Sequence, residues 1–155
     1  MITVDVHRGY YASYAPFFAN TAGLQTPPLN EHIATLVTLP IFKAALVTIA
    51  EAWDATWCAA YPWDLINLWP DPVVVGRPTF KMAWISYLSP RFAPMVTPPA
   101  SAIVDHTAQG GIVMTATEDR FDVTNPAHLA AAREIEAAIA PVNALPWPPD
   151  ATPPG

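Results

Sequence analysis

Apolar positions along the chain change period several times, and each change predicts an element. Residues 2–6, ITVDV, alternate β-branched with polar side chains and read as an extended start. The segment that follows, with Tyr10, Tyr11, Tyr14, Phe17 and Phe18, has no readable period, so residues 1–35 are expected to form an aromatic N-terminal layer of unassigned structure. Across residues 40–62, Phe42, Ala45, Leu46, Ile49, Trp53 and Trp57 recur at the spacing of one helix face, while Lys43, Glu51 and Asp54 fall elsewhere. Pro40 suits a first helical position and Pro62 a stop, so the spacing predicts one long amphipathic helix. The prolines of YPWDLINLWPDPVVVGRPTF predict an irregular connection around a short strand at 73–75.

A β pattern then returns. MAWISYL, residues 82–88, reads as a strand rich in aromatic and β-branched side chains. Residues 101–107 and 112–117 are two β-prone runs separated by Ala108-Gln109-Gly110-Gly111, which predicts a hairpin whose glycines supply the positive φ of its turn. In NPAHLAAAREIEAAIAP, Asn125 can cap and Pro126 can open a helix whose Ala131, Ala132, Ile135, Ala138 and Ile139 form a stripe opposite Arg133. His128 falls on the apolar side of this helix and reads as structural. The fold class that follows is α+β: a single domain over residues 1–145, an antiparallel sheet with a C-terminal hairpin, packed by an amphipathic central helix and a C-terminal helix. Residues 146–155 read as a proline-rich extended tail, with Trp147 able to tuck back onto the body.

At 155 residues one core is feasible. The composition is 52% hydrophobic and 13% charged, about half the usual ~25% of charged residues. Residues 9–30, a long uncharged stretch, are broken by Pro16, Pro27 and Pro28, which excludes a spanning helix of ~20 apolar residues. The start ITVDVHR lacks the basic and apolar blocks of a secretory signal, so a cytoplasmic location without membrane association is expected. Cys58 has no cysteine to pair with and reads as a buried apolar side chain between Trp57 and Ala59. A net charge of −6, from 13 acids against 7 Lys and Arg, argues against direct nucleic-acid binding and in favour of a basic protein partner.

The candidate chemistry concentrates in HTAQGGIVMTATEDRFD, residues 106–122. Its glycines lead into a strand, whereas a phosphate-binding loop leads into a helix, so they serve the turn. Asp105 and His106 are adjacent on a strand and point to opposite faces, which prevents them from acting as an oriented pair. Glu118 with Asp122 has the residue types of a general acid/base pair, but TEDRFD fits a solvated edge better. No metalloprotease, nucleophile-elbow, paired-cysteine or dinucleotide motif occurs, so neither cofactor nor metal is expected. Trp63 and Trp69 admit two readings, a binding platform or a cover for the core edge.

The order of these segments resembles a known family. Trp53-Asp54 with Trp57, then AWISYLS at 83–89, GGIVMTATEDRFDV at 110–123 and NPAHLAAAREIEAAIAPV at 125–142, is similar to the C-terminal two thirds of the bacterial immunity protein 52 family over residues 36–145. Residues 1–35 depart from it, lacking the Trp-Gly-x-Arg opening of longer members. The resemblance implies a non-catalytic inhibitor from a polymorphic toxin system. Its partner would be a cognate toxin, a nuclease with a restriction-endonuclease-type domain encoded by a neighbouring gene. Glu118, Asp119, Asp122 and Asp105, with Trp63 and Trp69 as apolar anchors, are the toxin-binding residues this reading would use. The alternative is a small-molecule-binding or catalytic domain with a pocket walled by Tyr10, Trp63 or Trp84.

Overall fold

The computed structural model of the chain describes residues 2–8, 20–26, 30–69 and 80–145. The aromatic run at 10–18, the strand expected at 73–75 and the tail at 146–155 lie outside the described residues. Strands β1 (Ile2–Arg8) and β2 (Asn20–Gln25) are followed by helices α1 (Glu31–Leu36) and α2 (Leu39–Ala52). Then come β3 (Trp57–Pro62), a 3-10 turn (Trp63–Leu68), β4 (Ile85–Leu88), β5 (Ile103–His106), β6 (Ile112–Thr115) and α3 (Pro126–Asn143). All six strands join one sheet in the order β2-β1-β3-β4-β6-β5, with each neighbouring pair antiparallel. The α+β class, the C-terminal hairpin and the two packing helices are as the sequence predicts.

The helix expected over 40–62 is corrected to a helix and a strand. Its end is a Schellman motif: the Asp54 N–H donates to Glu51 O (3.3 Å), and the Ala55 N–H to Ala50 O (2.8 Å). Between them Asp54 adopts a left-handed backbone, φ 48°. Glycine is the usual occupant of that position, so an aspartate there hides the stop signal. Residues 57–62 then enter the sheet as β3, where they form hydrogen-bond ladders with both β1 and β4. Trp57, Cys58, Ala59, Ala60 and Tyr61 are all buried, a run that needs cover on both faces of a strand. Ladders on two sides outweigh the weak helical preference of the alanines. Cys58 is therefore buried as expected, but in a strand.

Register sorts the central strands into two faces. Cys58, Tyr87, Val113 and Asp105 lie opposite one another in turn, so their side chains share one face of the sheet. Helix α2 covers that face, because the Lys43 ammonium reaches the Asp105 carboxylate at 2.8 Å. Trp57 and Tyr61 point the other way, where Trp57 meets the Phe80 ring edge-on at 5.2 Å. Helix α3 is fastened on that side: Asn143 accepts from the Phe80 N–H (2.8 Å) and donates to the Phe80 carbonyl (3.0 Å). Its Ile135 and Ile139 are fully buried, each contributing about 1.5–3 kcal/mol relative to exposure.

At the start of β4, Trp84 splits its backbone bonds between two neighbours. Its N–H donates to Ala60 O and its carbonyl accepts from Ala116 N–H, both at 2.9 Å, whereas a regular strand residue directs both groups to the same side. The chain is kinked there, and the fully buried indole lies against Phe42 of α2, ring centroids 6.0 Å apart. At the opposite end of the sheet the β5–β6 hairpin closes through Gly110, φ 91°, with the Gly110 N–H donating to Thr107 O and the Thr107 N–H to Gly111 O. Gly111 is required for space: a Cβ there would lie 2.6 Å from Tyr87 Cε2.

Candidate functional site

Strand polarity decides which candidates meet. Ala60, Ile85, Thr115 and Ile103 are aligned across the sheet near one end. From that end β3 runs on to Trp63, and β6 runs on to Glu118, Asp119 and Asp122. The acidic turn and the first tryptophan thus leave the sheet on the same side. Asp105 points onto the α2 face and is held by Lys43, with side-chain exposures of 44% and 31%. It does not join the acidic turn. His106 is exposed on the opposite face, so the two neighbours diverge as expected.

The acidic turn is tied down at every second or third residue. The Trp84 Nε1–H donates to Thr117 O (3.0 Å), and Thr117 Oγ1 accepts from the Asp119 N–H (3.2 Å). Phe121 is buried and its ring meets that of His128 at 5.6 Å. His128 Nδ1 accepts from the Asp122 N–H (3.0 Å), which gives this histidine the structural role read from its position. Asp122 Oδ1 accepts from the Thr124 N–H (2.8 Å) and hydroxyl (2.7 Å), an Asx turn leading to Asn125. Asn125 Oδ1 in turn caps α3 by accepting from the Ala127 N–H (2.9 Å). The Thr124 backbone bond, then its hydroxyl, hold the Asp122 carboxyl below the usual carboxylate range, with smaller help from His128 and Arg120. Glu118, Asp119 and Arg120 remain exposed on this fixed base.

The tryptophans separate. Trp63 keeps 48% of its surface exposed. Trp69 is half-buried, donates from Nε1 to Met82 O (3.2 Å) and packs edge-on against Tyr61 at 5.3 Å, so it covers the core edge. Trp84 is fully buried with its N–H committed, which removes it as a wall of the small-molecule pocket; Tyr10 lies outside the described residues. On the α2 side of the sheet, burial pushes the Tyr87 phenol up, with Cys58, Glu51 and Asp54 adding to it. Among the described residues no group of three or more His, Cys, Asp and Glu could hold a metal ion, and no helix is long and apolar enough to cross a membrane.

Sequence reasoning missed individual exposed apolar side chains at the two ends of α2. Trp53, assigned to the buried face of a long helix, is 43% exposed at the α2 C-cap, and Leu36 and Ile41 are 50% and 49% exposed near the N-terminal end of that helix. For Ile41 the available signal was the absence of charge along its side of α2, at Ala44, Thr48 and Ala52; for Trp53 there was none. The sequence model of the family described as Immunity protein 52 matches residues 3–145, and so takes in the N-terminal strands as well as the segments quoted above. No curated protein matches the chain.

Proposed function

The chain belongs to the immunity protein 52 family, and from that premise we propose that it is a non-catalytic, stoichiometric inhibitor of a cognate secreted toxin. In this reading the toxin is a nuclease with a restriction-endonuclease-type domain, and neutralisation takes place in the cytoplasm of the producing cell. The observation that carries the reading is the immobilised acidic turn. Glu118 and Asp119 project from a backbone already fixed by Trp84, Thr117 and His128, so little ordering entropy remains to be lost on binding.

A nuclease is cationic where it grips a phosphate backbone, and a protein of net charge −6 is attracted to such a surface. Glu118, Asp119 and Asp122 meet Lys or Arg of the toxin, with Trp63 as the apolar anchor beside them. Asp105 and Trp69 contribute less, because each is already engaged within the chain. Loss of a central acid costs about 2–5 kcal/mol where its toxin partner is buried, and little at the rim.

The experiment is to mix the purified protein with the toxin domain encoded by the neighbouring gene and to follow DNA or RNA cleavage. Cleavage should stop at equimolar protein, and the association rate should fall steeply with salt. A double substitution Glu118→Gln, Asp119→Asn should slow association. Absence of any complex, or turnover of a compound by the isolated protein, would end this reading.

A further inference from the structure

The bond that His128 makes fixes its protonation state. A backbone N–H can only donate, so the ring nitrogen facing the Asp122 N–H at 3.0 Å is the one without a proton, and the ring's own N–H is on Nε2. The ring is held in place for this contact. It sits in the first turn of α3, behind the Asn125 cap, and packs against the buried Phe121 at 5.6 Å. The exposed Glu118, Asp119 and Arg120 are slung between this contact and the Thr117 carbonyl, which Trp84 holds. An imidazole that gains a proton turns from acceptor to donor at Nδ1, and two donors then face each other. The charged groups around the contact are Asp122 and Arg120 from the turn, while Arg133 and Glu134 of α3 are exposed to solvent. The Asp122 carboxylate attracts an imidazolium and Arg120 repels it, but neither gives the Asp122 N–H a new acceptor.

We propose that His128 is a positioning residue for the toxin-binding turn and a proton-controlled latch on it: the neutral ring holds the Asp122 backbone, and the protonated ring releases it. This rests on the immunity reading above and adds a regulation of the same surface. The sign follows from the bond. The latch needs the neutral ring, so it is present above the pH at which His128 titrates and is lost as pH falls through that titration. The other ties of the turn do not change with it. The Trp84 bond to Thr117, the Asp119 bond to Thr117 Oγ1 and the Asn125 cap involve no titrating side chain, and the Asx turn rests on a carboxyl that titrates below the usual carboxylate range. Protonation therefore frees one end of the turn and leaves the other fixed. Glu118 and Asp119 recover backbone freedom that toxin binding must then remove, and affinity falls.

The test uses the full chain, first alone and then with the purified toxin domain encoded beside its gene. Between about pH 8 and pH 5, NMR follows the His128 ring nitrogens together with the exchange protection factor of the Asp122 amide, which corrects for the intrinsic effect of pH on exchange. Protection should fall about three- to tenfold as the ring protonates, the worth of one hydrogen bond. His128→Asn places an uncharged amide oxygen near the position of Nδ1 and should keep the protection throughout. His128→Phe keeps a ring against Phe121 without an acceptor and should lack the protection throughout; circular dichroism checks that each variant is folded. Toxin affinity of the wild type should fall about threefold or more relative to that of His128→Asn over the same range, a ratio from which pH effects on the toxin itself cancel. Asp122 protection that stays constant while His128 titrates overturns this proposal, as does a wild-type affinity profile parallel to that of His128→Asn; both leave the immunity reading standing. Failure of the wild type to bind the toxin at any pH overturns both.

Discussion

Replacing Trp84 with phenylalanine tests whether this side chain is a structural hub or a ligand contact. The indole is fully buried, packs against Phe42 and donates from Nε1 to Thr117 O at 3.0 Å. Shortening it to a benzyl group removes about 40 Å² of buried apolar surface, worth ~1 kcal/mol. It also opens a void of roughly 40 Å³, worth a further ~1 kcal/mol if the neighbours do not collapse. The Thr117 carbonyl loses its donor; because Thr117 is half-buried and water can reach it in part, the lower end of the range applies, ~1 kcal/mol. Together these amount to about 3 kcal/mol, or a fall in Tm of about 6–12 °C for a chain of this size. Urea unfolding followed by far-UV circular dichroism measures it. An unfolding free energy within ~1 kcal/mol of wild type would refute the hub and return Trp84 to the list of residues available to a ligand.

Other outcomes follow from single contacts. Thr115→Val should stabilise by about 1 kcal/mol in the same denaturation assay, because the buried Thr115 hydroxyl has no hydrogen-bond partner among the described residues and valine has the same shape. The Asp122 carboxyl titrates below its ordinary range in the folded state, so the stability it contributes is present above the unfolded pKa and is lost as pH falls through the folded one; carbonyl NMR should place its midpoint below that of an aspartate in the unfolded chain. Asp122→Asn should flatten the acid limb of the stability profile. Lys43→Met with Asp105→Asn should change stability by less than about 1 kcal/mol, since both groups are partly exposed, and added salt should shrink any difference between the single variants and wild type.

Elements with an unambiguous punctuation mark were legible. Asn125-Pro126 announced α3, and Gly110-Gly111 announced the hairpin, because a cap oxygen and a positive φ are local requirements that a reader can see. The helix-to-strand change at residues 53–57 was not legible, for two physical reasons. The left-handed stop is made by an aspartate, and WCAAYP becomes a strand only because β1 and β4 supply ladders from distant sequence. The same error hid the exposure of Trp53. At the acidic turn the residue types were readable, but its anchoring was not: bonds from Trp84 and to His128 join elements far apart in the chain or around a corner. The choice between platform and core cover at Trp63 and Trp69 also needed coordinates, because it depends on whether an indole N–H finds a carbonyl.

The strand order dictates when the sheet can be completed. The β1–β2 and β5–β6 pairs are formed by segments close in sequence, whereas Ile2 is aligned with Pro62, so β1 gains its second neighbour only after both intervening helices have been laid down. Closing so long a loop is entropically costly and slow relative to a hairpin. Pairing of β3 with β1 is therefore expected to follow the two local pairs, and the sheet is complete only when β3 seats between β1 and β4.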